Sequence, residues 1–334
     1  MDYLFFSSGP LHLINNFEFI KKKKIKNYKI FIFSSKSKTV NLQVRNTIKI
    51  LNLKNCESIN LNFFRIIRFF QYIIFIKKIN HQYSGKKITF IISDFKNFFF
   101  HLLRIFFHNS KFILIDEGFG TLIAYKNYLA KGIYFPIDQY NKYILNIFKH
   151  LLPSCFRIML DTKIYVFSIY YNHMNDKSVI INNLNYIKKK LNKNYNKDNS
   201  VVFFSGTKLS ERGGISLKEE LKILKKIKLY WDKRGKKLIY IAKRTTSDEK
   251  LILIKRKLLI DTIKFNLPLE LAIFYEYKKL PYAHCSHGGT LHTTLKKIYN
   301  IKSVVFVPHK FRHSIYSNSY NIYKVNFIKE SVKF

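Results

Sequence analysis

Cysteine, proline, glycine, tryptophan and acid are all scarce in this chain of 334 residues. It has three cysteines, Cys56, Cys155 and Cys285, with six prolines, eleven glycines and one tryptophan. Three scattered cysteines make neither a disulfide framework nor a paired metal-ligand spacing, and they suit a reducing compartment. Acids number 20 against 60 Lys and Arg, which leaves a formal net charge of +40. Long apolar runs are missing as well. The nearest approach to a membrane span of roughly 18–20 residues is "FFRIIRFFQYIIFI" (63–76), and Arg65, Arg68 and Gln71 interrupt it. It reads as an amphipathic helix of the kind that lies on a membrane. The opening "MDYLFFSSGPLHLI" has an acid at position 2 and no basic segment, unlike a signal peptide. The expectation is a cytoplasmic protein with peripheral contact to the anionic inner face of the membrane.

What is present is apolar material. Residues of that kind make up 47% of the chain, enough for two cores. The basic excess fits an anionic partner, and it equally fits a coding bias towards Lys, Asn, Ile, Phe and Tyr. The cations are spread along the whole length and no nucleic-acid motif appears, so no specific nucleic-acid partner is expected. A non-enzymatic polyanion binder stays open as an alternative.

Short apolar runs alternate with amphipathic segments. "YLFFSS" (3–8), "KIFIFSS" (29–35), "ITFIIS" (88–93) and "KFILID" (111–116) read as buried strands, and 11–24, 40–52, 61–78 and 97–108 as helices. After a polar, Asn-rich stretch at 186–200 the pattern restarts. Strands are expected at 201–206, 237–242, 283–286 and 303–308, with helices near 216–234, 247–257 and from about 290. Strand–helix alternation implies parallel sheets. We expect an N-terminal Rossmann-like domain over 1–185 and a C-terminal one over 200–325, with ligands at the carboxyl ends of the strands.

The chemistry-bearing residues cluster at those ends. Asp116 and Glu117 follow a strand and precede Gly118, where a carboxylate can act as a general base on a hydroxyl. Two adjacent acids repel, which raises the pKa of one of them on partial burial. The alternative is an ordinary turn in which an acid caps the next helix. Lys243 and Arg244 follow another strand, with Thr245, Thr246 and Ser247 beside them, a set that suits a phosphate or a solvated basic turn. In "AHCSHGGTLHTTL" (283–295), Ser286, His287, Gly288, Gly289 and Thr290 form a turn into a helix and a plausible anion cradle. His284, His287, His292 and Cys285 match no standard zinc spacing, so no metal is expected. Glu270, in "NLPLE" (266–270), suits ribose hydroxyls or a helix N-terminus. Ser8, Gly9 and Asn15 follow the first strand, and Gly206 and Thr207 follow the strand at 201–206.

Taken in order, these stretches resemble the bacterial sialyltransferases of the capsular polysialyltransferase and lipooligosaccharide sialyltransferase kind. "SGPLHLINNFE" (8–18) is similar to that family's "SPLQLLNAIE"-like helix, and "DEGFGT" (116–121) to its "DDGTAT". "SDFKNFFFHLL" (93–103) stands where a "GDYRN"-like segment is found. "GTKLSERGG" (206–214) is similar to "GQPLxExG", and "YIAKRTTS" (240–247) to "YIPHRRES". An "LPLE" element and the turn at 284–295 follow. The resemblance runs along nearly the whole chain, although each motif is weak alone. It implies an α/β fold of the GT-B type, two Rossmann-like doubly wound domains facing across a cleft. It also implies an inverting, metal-independent glycosyltransferase that needs no cofactor and moves sialic acid from CMP-sialic acid to a hydroxyl of a lipooligosaccharide or capsule glycan. Asp116 or Glu117 would be the base, with Asp116 preferred because it stands first after the strand. Lys243, Arg244 and the turn at 286–290 would hold the phosphate, and Glu270 the nucleoside. Two departures bear on this. Lys243 stands where the family has a histidine, and Gly288–Gly289 replace its serine pair. Both leave room for another activated sugar as donor, or for lost activity.

Overall fold

The computed structural model describes residues 2–62, 64–136, 153–174, 176–191, 195–206, 209–211, 215–244, 246–307 and 331–333. Thr207 and Thr245 lie outside this set, as do parts of the 206–214 and 186–200 stretches. The chain forms two compact units. The first holds Met1–Lys36 and Ile48–Tyr186, and the second Ser37–Thr47 and Ile187–Phe334.

In the first unit seven strands form one parallel sheet: β1 (Asp2–Ser7), β2 (Tyr28–Phe33), β3 (Cys56–Ile59), β4 (Ile88–Ile92), β5 (Lys111–Ile115), β6 (Ile164–Ser168) and β7 (Val179–Ile181). Their order is β3-β2-β1-β4-β5-β6-β7, with Phe5 beside Ile30 on one side and Ile91 on the other. The helices in this part of the chain are α1 (Pro10–Lys22), α2 (Lys38–Leu51), α3 (Arg65–Gln82), α4 (Phe98–Phe106), α5 (Phe119–Asn127), α6 (Pro153–Asp161) and α7 (Asn185–Lys190), of which Lys38–Thr47 of α2 and Ile187–Lys190 of α7 group with the second unit. A sheet covered on both faces needs strands that are apolar on both, and β4 (ITFII) is buried throughout. Phe6 packs against Phe31, Phe90, Phe99 and Phe100. Each such ring contributes about 1.5–3 kcal/mol on burial. Pro10 starts α1, and the Asn97 side chain caps α4 by accepting from Phe99 N.

The second unit repeats the plan with β8 (Lys197–Ser205), β9 (Lys237–Ile241), β10 (Asp261–Ile263), β11 (Leu280–Ser286), β12 (Lys302–Val307) and β13 (Ser331–Lys333), in the order β10-β9-β8-β11-β12-β13. All pairs are parallel. Helices α8 (Leu217–Asp232), α9 (Asp248–Leu258), α10 (Leu269–Ala272) and α11 (Thr290–Tyr299) accompany them. Ser216 and Glu219 make a capping box for α8, and Ser247 caps α9. Trp231, Tyr240, Phe204 and Phe306 centre the core.

Both strand orders reverse once, between β1 and β4 in the first unit and between β8 and β11 in the second. In open parallel sheets the crevice at such a reversal, beyond the carboxyl strand ends, is where ligands sit. The loops that leave those strands begin at Ser8 and Ser93 in the first unit, and at Gly206 and His287 in the second.

Candidate functional site

At the end of β5 the two acids have separate surroundings. Asp116 is fully buried. Its Oδ1 accepts from Ser168 Oγ at 2.7 Å and its Oδ2 from the backbone N of Ile169 at 2.6 Å. Its carbonyl accepts from Asn15 Nδ2 at 2.8 Å, and Asn15 Oδ1 accepts from Asn182 Nδ2 at 2.9 Å. Asn182 in turn accepts from the N of Leu184. Asp116 thus ties the ends of β5 and β6, and Asn15 ties α1 to both β5 and the Asn182 loop.

Glu117 is half-buried at the same edge. Its carboxyl is pushed up to about 8, first by burial, then by the charge of Asp94, with Asp116 adding to it and Lys96 opposing. Asp94, at the end of β4, is itself raised by burial. Gly118 takes φ +119°, a conformation that side chains disfavour, and a Cβ on Gly120 would overlap Glu117 Oε1. The two glycines of "DEGFG" therefore let the Glu117 carboxylate fold over the start of α5. The N-cap position of α5 is Gly118 and carries no side-chain cap, so the acid-cap alternative is not realised. Ser8 is exposed beyond β1, and its N donates to Nδ1 of His12 at 3.1 Å, with Gly9 opening α1. A ring nitrogen that accepts a backbone N–H leaves the other nitrogen to carry the proton of a neutral imidazole.

In the second unit the turn after β11 is held from behind. Ser286 Oγ accepts from the N of Gly288 at 3.0 Å and lies 2.8 Å from His292 Nε2. Gly288 and Gly289 take φ +110° and +148° and deliver the chain into α11 at Thr290. His287 is anchored through Nδ1 to the carbonyl of Phe306 at 2.9 Å, and the charges of Glu220, Lys243 and Lys250 act on its ring. Behind these, His284 pairs with Ser205, and its ring lies tilted against His292 with centroids 4.6 Å apart. Burial depresses both rings, His292 to about 3, so both are neutral. They serve as packing groups. No cluster of three or more His, Cys, Asp or Glu able to hold a metal occurs among the described residues.

Of the remaining expected residues of this unit, Lys243, Arg244 and Gly206 follow neighbouring strands and Glu270 lies on α10. Lys243 and Arg244 are exposed after β9, and Thr246 Oγ1 accepts from the N of Lys243 at 3.0 Å. Gly206 ends β8, where a Cβ would overlap the buried ring of Tyr240. Glu270 is buried. Its Oε1 accepts from Thr294 Oγ1 at 3.0 Å, its carbonyl from Tyr299 OH at 2.6 Å, and the charge of Arg244 offsets part of what burial does to its carboxyl. In this arrangement Glu270 is an internal acid that bears on Arg244.

The structure adds residues the sequence reading left out. Asp94 lies inside the quoted "SDFKN" and is the acid that acts most on Glu117. Ser168 ends β6 and Asn182 follows β7, two strands that the patterning does not single out. Lys250 Nζ, on α9, meets Glu220 at 2.7 Å and Glu211 at 3.1 Å, all packed against Ser210. Glu211 was present in "GTKLSERGG", but its partners on α8 and α9 are far away in sequence.

No family model and no curated protein matches the sequence. Solved structures do match. UDP-GlcNAc 2-epimerase from Methanocaldococcus jannaschii, in complex with UDP-GlcNAc and UDP, is 10% identical with a TM-score of 0.59, covering 100% of this chain and 89% of that one. The Neisseria meningitidis UDP-GlcNAc 2-epimerase bound to UDP-GlcNAc is 10% identical, TM-score 0.50, covering 91% and 82%. A sialyltransferase from Photobacterium damsela is 9% identical, TM-score 0.50, covering 100% and 81%. At such identities the likeness shows the fold alone: an α/β chain of two parallel sheets with alternating helices, of the GT-B type.

Proposed function

We propose that the chain is an inverting glycosyltransferase that moves sialic acid from CMP-sialic acid to a hydroxyl of a cell-surface glycan, with Glu117 as the base. The observation that carries this reading is the Glu117 carboxyl. It is half-buried beyond the carboxyl end of the interior strand β5, raised to about 8 and backed by an Asp116 whose oxygens are already engaged. A carboxylate with that pKa is poised to take a proton near neutrality. Of the two acids, the role of base therefore falls to Glu117, and Asp116 fixes the strand ends beneath it.

In the proposed reaction the acceptor oxygen bonds to the anomeric carbon while the bond from that carbon to the CMP phosphate oxygen breaks. Glu117 takes the hydroxyl proton. Lys243 and Arg244, with the turn at Ser286–Thr290, meet the charge that builds on the departing phosphate. A lysine supplies positive charge there but, unlike a histidine, does not readily give up a proton near neutrality. The residues present meet the phosphate with fixed cations, which is the basis for proposing transfer without a metal.

The test is incubation with CMP-sialic acid and a panel of lactose- and sialic-acid-terminated glycans, with products read by mass. Transfer by the native chain, lost in Glu117→Gln while CMP still raises the melting temperature, is the expected result. Absence of product with every acceptor, together with no response to CMP, overturns the proposal. Lys243 in the histidine position favours a second reading that keeps transfer and changes the donor. Melting shifts with CMP, UDP and GDP separate the two.

A further inference from the structure

Helix α3 carries a face that nothing among the described residues covers. Phe75, Ile76 and Ile79 are buried beneath it. On the opposite side Ile67 is 47% exposed, Phe70 60% and Ile74 67%, and Phe64, the N-cap residue, is 72% exposed. At 100° per residue, Ile67, Phe70 and Ile74 fall on one stripe. The same stripe continues into Lys77, Lys78 and His81, all exposed. One side of the helix is therefore apolar in its first half and cationic in its second.

The surrounding sequence indicates what such a face meets. No acid occurs between Glu57 and Asp94, a stretch that also holds Arg68, Lys86 and Lys87. Large aliphatic and aromatic side chains cost free energy when left in water, and burial at an interface recovers part of it. A second copy of this chain is a poor occupant, since two surfaces of a +40 protein repel one another. A bilayer with anionic headgroups accepts both halves. Apolar side chains enter the boundary between headgroups and acyl chains, and lysines meet phosphate.

We infer that α3 is a membrane-docking helix, with Phe64, Ile67, Phe70 and Ile74 inserting into an anionic lipid surface and Lys77 and Lys78 lying along its headgroups. The inference does not depend on the transferase reading. It sharpens the expectation from sequence, which offered the stretch at 63–76 without saying which side faces out.

The test separates insertion from the general attraction of a basic protein to anions. Co-sedimentation is measured on phosphatidylcholine vesicles with and without phosphatidylglycerol, at moderate and high salt. The Ile67→Ser/Phe70→Ser/Ile74→Ser variant is expected to partition about tenfold or more weakly onto the anionic vesicles, and Lys77→Gln/Lys78→Gln to lose salt-sensitive binding. The native chain is expected to keep part of its binding at high salt. A second readout is independent of folding losses in the triple variant. The sole tryptophan, Trp231, is buried at 2% exposure, so Phe70→Trp adds a fluorophore that reports its own surroundings. Its emission should shift to the blue on anionic vesicles and be quenched by lipids brominated on their acyl chains. Unchanged sedimentation of the serine variant, or fluorescence indifferent to brominated lipid, overturns the inference. So does self-association that masks the face in the absence of vesicles.

Discussion

Asp116 and Glu117 are adjacent acids at one strand end, and their neighbours give them different work. Asp116 accepts from Ser168 and Ile169. Asp116→Ala would strand two buried donors, a cost of about 2–4 kcal/mol in unfolding free energy, to be read from denaturant midpoints. Glu117 is the reverse case. The folded carboxyl titrates near 8 against an ordinary 4.5. Between those values the folded protein holds a proton that the unfolded chain has released, so stability falls as pH rises through that window. Glu117→Gln stays neutral. It should be the more stable form towards about pH 8 by roughly 2–4 kcal/mol after partial exposure is discounted, and should lose the pH dependence. Urea midpoints across the range check the sign; a native chain that gains stability on going alkaline contradicts it. Activity should move the other way, with kcat/KM rising as Glu117 deprotonates. Because Asp94 raises that pKa, Asp94→Asn should bring the rising limb to lower pH. A limb that stays in place would remove Asp94 from the account.

At the scale of elements, the sequence disclosed the long buried strands and missed the short ones. β1, β2, β4, β5, β8, β9 and β12 carry runs of Ile, Leu, Phe, Tyr and Val that suit a covered parallel sheet, whereas β11 (LPYAHCS) shows only as the short stretch before the glycine turn. β3, β7 and β10 have three or four residues, lie at or near sheet edges and are only partly buried, so neither length nor alternation marks them. β6 (IYVFS) is an apolar run of the same kind that the patterning does not single out, and Ser168 stays hidden with it. The motif "DEGFGT" was legible because each glycine has a backbone reason. The difference between its two acids is not legible, since it depends on Ser168, 52 positions from Asp116, and on Asp94, 23 positions from Glu117. Gly206 allows an element-level check. A Cβ there meets the ring of Tyr240, which α8 and α9 enclose, so Gly206→Ala should cost about 1–3 kcal/mol, and Tyr240→Phe should restore part of it by removing the hydroxyl. Position in the chain alone assigns helix α2 to the first half. Yet Ser37–Thr47 groups with the second unit, where Gln43 Nε2 donates to the carbonyls of Phe265 at 3.1 Å and Leu267 at 3.0 Å. Gln43→Ala leaves both buried carbonyls short of a donor and should cost about 1–3 kcal/mol, seen as a lower denaturant midpoint. An unchanged midpoint would mean that water replaces the amide.

For the whole molecule, the dominant quantity is charge. At most 20 of the 60 basic side chains can have an acid of their own. Exposed pairs such as Lys29–Glu57 and Lys237–Asp261 are individually worth little, and the pair of Lys250 with Glu220 is the buried exception. The excess repels itself in the compact state and is released on unfolding, where the charges move apart. Salt shortens the reach of that repulsion, from about 30 Å at 0.01 M to about 8 Å at 0.15 M. Raising ionic strength over this range should therefore raise the melting temperature by several degrees. A protein held by surface ion pairs would respond in the opposite sense, so the direction of the shift decides which term prevails. The same salt series bears on the polyanion-binding alternative. Attachment to nucleic acid through diffuse charge must weaken steeply and without regard to sequence as salt rises. A response to CMP held by a few fixed groups at Lys243, Arg244 and the Ser286–Thr290 turn should lose far less over the same range. Nucleic-acid binding that saturates and survives at moderate salt, combined with a CMP response that vanishes there, would make the polyanion reading the better one.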